Sequence, residues 1–225
     1  MAPDGNVLAL VARYPRLGAV KTRLATTLGN ESVYALYCAF LRDLAERLPA
    51  GPWDIHWLYT PADEPFAAWL AAGQPTSPQE GTTLNERLLN GFRALGQSHE
   101  RVIIMSTDSP HVSLEWIARG FALLEQHDVV LGPCDDGGYY LVGMRAAHDI
   151  FSGITMSTST VLEETLALAE HLGLSTALLP PTFDVDDLTG LAALRQWLDS
   201  NAVELPHSRT LLSVSSTLDL LVTLR

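Results

Sequence analysis

Residues 132–143 read GPCDDGGYYLVG, and this stretch does most to decide the fold. Two carboxylates and two adjacent glycines separate two apolar runs, which favours a strand, a tight turn and an antiparallel return strand. Asp135 and Asp136 could simply be the solvated tip of that turn. Because carboxylates at a strand end also bind hydroxyl groups or a divalent cation, the turn is a candidate site as well.

The rest of the chain alternates between short apolar runs and segments whose apolar residues recur at helical spacing. The predicted strands are 7–12, 55–59, 102–105, 128–131, 139–143 and 175–179. The predicted helices are 31–48 with Asn30 as its cap, 64–72, 84–95, 114–125 with Ser113 as its cap, 159–172 and 188–198, and residues 14–24 are expected to form a loop. This alternation predicts an α/β fold, a three-layer α/β/α sandwich around a mostly parallel, twisted sheet.

The length of 225 residues suits one domain, which we assign to residues 1–200, with a C-terminal extension at 201–225. The extension is apolar at 211–212 and 218–224, so it is expected to pack on something. An extra helix, an added edge strand and a subunit contact of a homodimer are equally consistent with its composition.

Composition excludes several classes of protein. The formal net charge of −12 argues against a nucleic-acid backbone as the main partner. The sequence has no run of about 18 apolar residues, so no membrane span is expected. The first apolar run lacks a basic region before it and ends in Arg13, which argues against a signal peptide. Cys38 and Cys134 lie in different elements, and we expect free thiols in the reducing cytoplasm rather than a disulfide.

A small basic loop follows the first predicted strand of this acidic chain. Gly18, Lys21 and Arg23 lie on it, and Arg13 precedes it. Lysine supplies a point charge and arginine a planar fork for two oxygens, so the loop is suited to a polyphosphate. Its spacing is not that of a P-loop. A solvated basic turn is the alternative interpretation.

Two further acidic segments accompany the turn at 135–136. Asp108 and Asp135 both follow predicted strands, and ligands of such sheets bind outside the carboxyl ends of the strands. Oxygen ligands of this kind suit Mg²⁺ or Mn²⁺, with nucleotide phosphates completing the shell. Asp184 and Asp186 flank a valine, and alternation puts both on one side of an extended segment, as a second metal ligand or a general base. The alternative for all of them is a turn or a helix cap, which Asp187 fits better than Asp184 does.

Polar residues elsewhere carry weaker signals. Ser157 and Thr158 could bond substrate hydroxyls, or one of them could cap the next helix. Glu86 and Arg87 are interpreted as a pair at a helix start rather than as ligand contacts. The seven histidines show no metal-ligand spacing, and no Ser-His-Asp or Cys-His nucleophile set is present.

Taken together and in order, the motifs resemble a known family. They are GAVKTRL at 18–24, TDSP at 107–110, GPCDDGGYYLVG at 132–143, STSTVL at 157–162 and DVD at 184–186. The chain resembles, over residues 6 to about 198, the GT-A-type glycosyltransferase family linked to arsenosugar biosynthesis, long known only as a domain of unknown function. It is also similar to 2-phospho-L-lactate guanylyltransferase and molybdenum-cofactor guanylyltransferase. The resemblance implies the Rossmann-like nucleotide-diphosphosugar transferase fold.

The resemblance also implies a role for each candidate residue. Lys21 and Arg23 would hold nucleotide phosphates, and Asp108 would bind the metal in place of an Asp-x-Asp motif. Asp136 with the two glycines after it would line the acceptor or sugar pocket, and Asp184 or Asp186 would supply a second metal contact or the base. The resulting expected site has Asp136 and Asp186 as catalytic residues, Asp108, Asp184 and Asp186 as metal ligands, and Arg13, Gly18, Lys21, Arg23, Gly137, Gly138, Ser157 and Thr158 as donor-binding residues.

Two segments depart from the pattern of that family. Residues 82–87 read TTLNER where the family usually has GDLGER, which removes a carboxylate and two glycines. Met156 stands where the family often has tryptophan, which removes a flat stacking surface. These changes bear on the base, sugar and acceptor, so the resemblance identifies none of the three.

The expected function is that of a metal-dependent transferase with a nucleotide-activated donor. Glycosyl transfer from a nucleotide-diphosphosugar to a small-molecule acceptor is the leading hypothesis. Nucleotidyl transfer from a nucleoside triphosphate to a phosphorylated acceptor could use the same residues. It stays open as an alternative because Asp108-Ser109-Pro110 is not a strict Asp-x-Asp motif. A nucleotide-binding protein without turnover is the third hypothesis, motivated by the altered segment at 82–87.

Overall fold

The structure is a computed structural model that describes residues 5–70, 73–201 and 205–214. Its strands are β1 (Asn6–Arg13), β2 (Asp54–Thr60), β3 (Thr76–Pro78), β4 (Arg101–Ser106), β5 (Val129–Pro133), β6 (Tyr139–Met144) and β7 (Thr176–Leu178). Its α-helices are α1 (Thr22–Leu28), α2 (Asn30–Arg47), α3 (Phe66–Trp69), α4 (Leu84–Leu95), α5 (Leu114–Leu123), α6 (Val161–His171), α7 (Leu188–Ser200) and α8 (Pro206–Val214), and a 3₁₀ turn spans Leu48–Ala50.

The strands form one sheet in the order β3-β2-β1-β4-β6-β5-β7. All neighbours pair in parallel except at β6, which is antiparallel to both β4 and β5. The apolar runs at β1 and β4 therefore lie in the middle of the sheet, where both faces are covered. The predicted mostly parallel sheet and the antiparallel return after the Gly-Gly turn are confirmed.

Alternation along the central strands divides the core between the two faces of the sheet. Leu8 and Leu10 of β1 pack on one face with side chains of α2 and α5. Val7 and Ala9 pack on the other face with side chains of α4 and α6. Helices thus cover both faces, and the predicted three-layer α/β/α sandwich is confirmed.

The C-terminal helix α8 is fastened to α2 by one buried carboxylate. Asp43 is 1% exposed and accepts hydrogen bonds from the backbone N–H groups of His207 and Ser208, at 2.9 Å each, and from the Ser208 hydroxyl. Leu205 and Leu212 add apolar contacts with α1, α2 and α7. A helix is therefore what residues 206–214 form, whereas residues 202–204 and the apolar run at 218–224 lie outside the described residues. The division into 1–200 and 201–225 and the homodimer stay predictions.

Other local predictions differ from the structure at their boundaries. The loop expected at 14–24 ends early, because α1 already begins at Thr22. Asn30 was expected to cap α2 but is its first residue, since Gly29, with φ +80°, makes the break between the two helices. The helix expected at 64–72 is the single turn α3, which ends where Leu70 becomes extended, and residues 71–72 lie outside the described ranges. The three-residue strand β3 is too short to show a sequence period.

We predict that Asp43→Ala lowers the free energy of unfolding by about 3 kcal/mol, because it leaves buried N–H donors of α8 without an acceptor. Urea denaturation would measure this loss. Glu46→Ala is the matched control, since Glu46 contacts His207 at the surface, and its loss should be below about 1 kcal/mol. Equal effects of the two substitutions would contradict the role given to Asp43.

Candidate functional site

Two cavities of about 500 Å³ each open beside one another at the carboxyl ends of the central strands. We call the first the carboxylate cavity. Its polar wall holds Asp108, Asp136, Asp184 and Asp186, and its apolar wall includes Leu84, Leu88, Ile104, Val142 and Met156. The second, the lysine-loop cavity, is lined by Arg13, Ala19, Val20, Lys21, Thr22, Arg23, Tyr37 and Thr107 among others. The two cavities share Val11, Arg23, Asp108, Ser157 and Asp186, so they meet at the expected site.

Two acidic segments meet at this junction because their backbones are hydrogen bonded to each other. Asp108 follows β4, and its carbonyl oxygen accepts a hydrogen bond of 2.9 Å from the Val185 N–H. The Ser109 hydroxyl donates to the Phe183 carbonyl at 3.0 Å. These bonds bring the carboxylates of Asp108 and Asp186 to one place although 78 positions separate them in sequence.

A buried histidine continues this contact. His111 is 2% exposed, lies 2.8 Å from the Thr182 hydroxyl through Nε2, and stacks on Phe183 with ring centroids 4.0 Å apart. Its burial, with a smaller contribution from the positive charge of Arg47, lowers the pKa of His111 to about 4. The imidazole is therefore neutral at physiological pH and can pack inside the protein.

The segment before α7 has the geometry that its alternation predicts. Val185 is fully buried against α1, α2 and α7, whereas Asp184 and Asp186 both line the carboxylate cavity. The start of α7 supports this segment closely, because a Cβ at Gly190 would lie 2.1 Å from the Asp184 carbonyl oxygen. Asp187 caps α7 by accepting a hydrogen bond of 2.9 Å from the Gly190 N–H, as its interpretation as a helix cap requires.

Lys21 lies between two of the carboxylates. Its Nζ is 2.6 Å from Oδ1 of Asp108 and 2.6 Å from Oδ1 of Asp186, and its side chain is 4% exposed. Burial alone would lower the pKa of Lys21, but the two carboxylates outweigh it, so the pKa is raised and the ammonium form is favoured. Lys21 is also one of two non-glycine residues with positive φ among the described residues, at +47°, and such strain is concentrated at functional sites.

The carboxylates of the site also act on one another. Burial first, and then the charges of Asp186 and Asp136, raise the pKa of Asp184 to about 6. The same wall contains Cys134, whose thiol pKa is raised by burial and by Asp184, so this cysteine is an un-ionised side chain here. Four aspartates thus line the carboxylate cavity, with Arg23 in its wall and Lys21 bound to two of the four.

In the Gly-Gly turn, Asp136 and Gly138 line the carboxylate cavity, whereas Gly137 packs against a neighbouring loop. Asp136 lines the carboxylate cavity, and its Oδ1 accepts a hydrogen bond of 2.8 Å from the Gly138 N–H. Gly138 also lines the cavity, but Gly137 does not: it has φ +88°, and a Cβ there would lie 2.0 Å from the Ser159 carbonyl oxygen. Gly137 thus packs closely against the loop before α6, and its expected donor-binding role stays a prediction.

That loop brings both expected hydroxyl residues to the cavity. Ser157 has φ +65° and borders both cavities, and Thr158 lines the carboxylate cavity while its hydroxyl donates to the Thr155 carbonyl at 3.0 Å. Of the remaining expected residues, Arg13 and Arg23 line the lysine-loop cavity, but Gly18 lines neither cavity and lies against Asn30. Gly18, with φ +76°, forms the turn that leads to Lys21.

The unusual TTLNER segment serves the fold. Thr83 and Glu86 form a capping box at the start of α4, and Arg87 donates to the Gly81 carbonyl at 3.0 Å, so the interpretation of Glu86 and Arg87 as a helix-start pair is confirmed. The Asn85 amide donates to the Ile154 carbonyl at 2.9 Å and so fastens the segment that leads to the loop at 156–159. Leu84 remains 44% exposed and lines the carboxylate cavity.

Several site residues carry no sequence motif. The Tyr37 hydroxyl donates to the Arg13 carbonyl at 3.0 Å and lines the lysine-loop cavity, yet in the sequence it is one more apolar position of a helix. Ile104 and Val142 are register partners in the sheet and form part of the apolar wall. Only the register of strands distant in sequence reveals them.

Among the described residues, the site offers a metal ion two carboxylates rather than a complete cluster of protein ligands. Within the ranges 5–70, 73–201 and 205–214, no three histidine, cysteine, aspartate or glutamate side chains are grouped to hold a metal ion. Asp108 and Asp186 do reach one cation together, the ammonium of Lys21. Two carboxylates, completed by substrate phosphates and water, are the donor set that Mg²⁺ commonly uses, so the residues fit such an ion.

No described helix is long and apolar enough to cross a membrane.

We predict that His111 makes stability pH-dependent. Its pKa of about 4 in the folded protein is below the usual 6.5, so the unfolded chain takes up a proton first, and stability falls as the pH drops through this range. Between pH 7 and pH 4.5 the loss should be about 2–3 kcal/mol. Urea denaturation at both pH values should show that His111→Gln removes this part of the loss, whereas the exposed His171→Gln should leave it unchanged. An unaltered pH dependence in His111→Gln would contradict the assignment.

Comparisons with known proteins place the chain in a family. Residues 43–158 match the family described as "Uncharacterized protein conserved in bacteria (DUF2064)". A crystal structure of a candidate nucleotide-diphospho-sugar transferase from Desulfovibrio desulfuricans G20 is 30% identical, with a TM-score of 0.83 over 98% of this chain and 95% of that one. No curated protein matches in sequence.

More distant structures share the fold alone. A 4-diphosphocytidyl-2C-methyl-D-erythritol synthase from Anaerococcus prevotii DSM 20548 is 12% identical, with a TM-score of 0.55 over 87% of this chain and 96% of that one. A nucleotidyl transferase from Methanothermobacter is 13% identical, with a TM-score of 0.56 over 88% and 99% of the two chains. The chain has the fold of nucleotide-diphosphosugar transferases and belongs to the DUF2064 family.

Proposed function

We propose that the protein is a metal-dependent transferase that uses a nucleotide-activated donor, most directly a glycosyltransferase that takes a nucleotide-diphosphosugar. The observation that carries this proposal is the junction of the lysine-loop cavity with the carboxylate cavity at Asp108 and Asp186. A neighbour that is 30% identical is a candidate nucleotide-diphospho-sugar transferase, which supports the same class.

The donor diphosphate would occupy the lysine-loop cavity. Arg13, Lys21 and Arg23 supply three cations to its wall in a chain of net charge −12, so this wall favours the binding of an anion. Arg23 can offer two N–H groups to phosphate oxygens, and Lys21 a point charge. As the bond to the sugar breaks, these cations stabilise the negative charge that develops on the departing diphosphate.

A divalent cation, Mg²⁺ or Mn²⁺, would be held by Asp108 and Asp186, with Asp184 beside them. Such an ion supplies Lewis-acid stabilisation of the diphosphate leaving group. The backbone bonds between the segments at 108–109 and 183–185 keep the two carboxylates together, so the chain offers the ion a pair of ligands held at one place.

The acceptor would occupy the carboxylate cavity and be activated by Asp136. Oδ1 of Asp136 is held by the Gly138 N–H, which orients the carboxylate and leaves Oδ2 for a hydroxyl group. Proton removal by a positioned carboxylate is general base catalysis. The apolar wall opposite, with Leu84 and Leu88, excludes water from the acceptor side.

Nucleotidyl transfer is the second candidate, because the acidic pair comes from two separate segments rather than from an Asp-x-Asp motif. In that reaction an acceptor phosphate oxygen attacks the nucleotide α-phosphorus, and pyrophosphate leaves. The two reactions release different products. A panel of nucleotide-diphosphosugars with Mn²⁺ should release a nucleoside diphosphate, whereas a panel of nucleoside triphosphates with phosphorylated acceptors would release pyrophosphate. Metal-dependent nucleotide binding without either product would indicate a non-catalytic protein.

We predict that Asp108→Ala loses Mn²⁺-dependent binding of a nucleoside diphosphate by at least about tenfold while the fold survives, because the backbone bond to Val185 remains. Isothermal calorimetry would measure the affinity. Asp135→Ala is the matched control: it removes an equal charge from an exposed residue that lines neither cavity. Unchanged affinity in Asp108→Ala would sink the metal assignment.

We also predict that Lys21→Met weakens a nucleoside diphosphate by more than about tenfold but the bare nucleoside by less than about threefold, since the ammonium acts on phosphate charge. Competition binding with matched nucleoside and nucleoside diphosphate would show the difference. Equal weakening of both ligands would remove the phosphate role of Lys21.

A further inference from the structure

The ammonium group of Lys21 lies where a divalent cation would be bound in the proposed site. Nζ is 2.6 Å from Oδ1 of Asp108 and 2.6 Å from Oδ1 of Asp186. The two carboxylates are 34% and 40% exposed, whereas the lysine side chain is 4% exposed. The carboxylates therefore face the cavities with one oxygen each already engaged from beneath by an internal cation.

A divalent ion and the ammonium group cannot share these oxygens at bonding distance, because two cations so close repel each other strongly. To bind the ion through these two Oδ1 atoms, the protein must give up two charge-assisted hydrogen bonds to Lys21, which are the stronger class of hydrogen bond. An ion bound through the Oδ2 atoms instead would lie beside the ammonium group and be repelled by it. Metal binding is therefore opposed as long as Lys21 has no other anion to contact.

The lysine-loop cavity supplies the place for another anion. Lys21 lines that cavity as well as contacting the carboxylates, so a diphosphate bound there would offer oxygens to the same ammonium. Transfer of the ammonium from carboxylate to phosphate would free two oxygens for the metal. Binding of the diphosphate and of the metal would then favour each other by the same factor in both directions.

We propose that Lys21 is an internal competitor of the metal, which keeps divalent cations off Asp108 and Asp186 until a nucleoside diphosphate accepts its ammonium group. This inference rests on the proposed function. It assigns to one residue the coupling between donor and metal. It leads to an unusual expectation: removal of a residue that binds the donor should strengthen the binding of the metal alone.

Arg23 separates this mechanism from a general effect of charge. It carries the same charge and borders both cavities, but within the described residues it forms no ion pair with a carboxylate. Removal of either side chain makes the site more negative. Only removal of Lys21 also releases the two carboxylate oxygens.

The experiment titrates the full chain with Mn²⁺ alone and measures free Mn²⁺ by electron paramagnetic resonance. Lys21→Met is expected to bind Mn²⁺ at least about tenfold more tightly than the unsubstituted protein, and Arg23→Met less than about threefold more tightly. Lys21→Arg, which keeps a charged donor at this position, should stay within about threefold of the unsubstituted protein. Thermal unfolding checks that each variant is folded, and Lys21→Gln replaces Lys21→Met if the latter does not fold.

Unchanged or weaker Mn²⁺ binding in the variants without a charge at position 21 would overturn the proposal. Equal tightening in Arg23→Met would also overturn it, because net charge would then be a sufficient explanation. A second titration with UDP or GDP present should show that the unsubstituted protein binds Mn²⁺ more tightly than it does without nucleotide. The nucleotide should increase the Mn²⁺ affinity of Lys21→Met by a smaller factor. If no member of a panel of UDP, GDP, CDP, ADP and dTDP binds under any condition, the proposed function fails, while the metal-only comparison still decides whether Lys21 competes.

Discussion

One ammonium group between two carboxylates is the interaction on which the candidate site depends. Lys21 comes from the loop after β1, Asp108 from the end of β4, and Asp186 from the segment before α7. Without a cation between them, two carboxylates at this edge of the sheet would repel each other. The pKa of the neighbouring Asp184 is raised to about 6 by its burial first and then by the charges of Asp186 and Asp136. The ion pair with Lys21 thus reduces repulsion within the site in the resting state.

The fold holds these carboxylates together with hydrogen bonds between their two segments rather than with additional charged side chains. The segments at 108–111 and 182–186 are joined by the Val185 N–H, the Ser109 hydroxyl and the His111 ring, all of which are buried or bound to backbone atoms. A neutral histidine is suited to this buried position, because it can accept a hydrogen bond from Thr182 or donate one to it, and can stack on Phe183, without a buried charge. The low pKa of His111 follows from that burial and from the positive charge of Arg47.

Much of this structure can be predicted from the sequence. The features that cannot be predicted depend on contacts between segments that are distant in sequence. The apolar runs at β1 and β4 predict buried strands because a central parallel strand leaves no face for water, and the alternation around Val185 predicts two carboxylates on one side. The pairing of Lys21 with Asp108 and Asp186 is not predictable in this way, since a sequence shows which side chains are charged but not which backbones are hydrogen bonded.

The glycines show the same limit from the other direction. Gly137 and Gly138 look equivalent in the sequence, and both suggest close approach of a ligand. The structure separates them, because Gly137 is required by the carbonyl of Ser159 and Gly138 by the cavity and by Asp136. The helix α8 is likewise not apparent in the sequence. Its position depends on Asp43 of α2, and nothing in the sequence around Asp43 shows that His207 and Ser208 donate hydrogen bonds to it.

The junction of the two cavities is compatible with both proposed reactions, glycosyl and nucleotidyl transfer. In both reactions a phosphate group leaves, and the cations that stabilise it are best placed at one wall while the attacking group enters from the other. Asp108 and Asp186 belong to both walls. Met156 and Leu84 of the TTLNER segment line the carboxylate cavity, so both segments that depart from the family pattern reach the place where the proposed acceptor would bind.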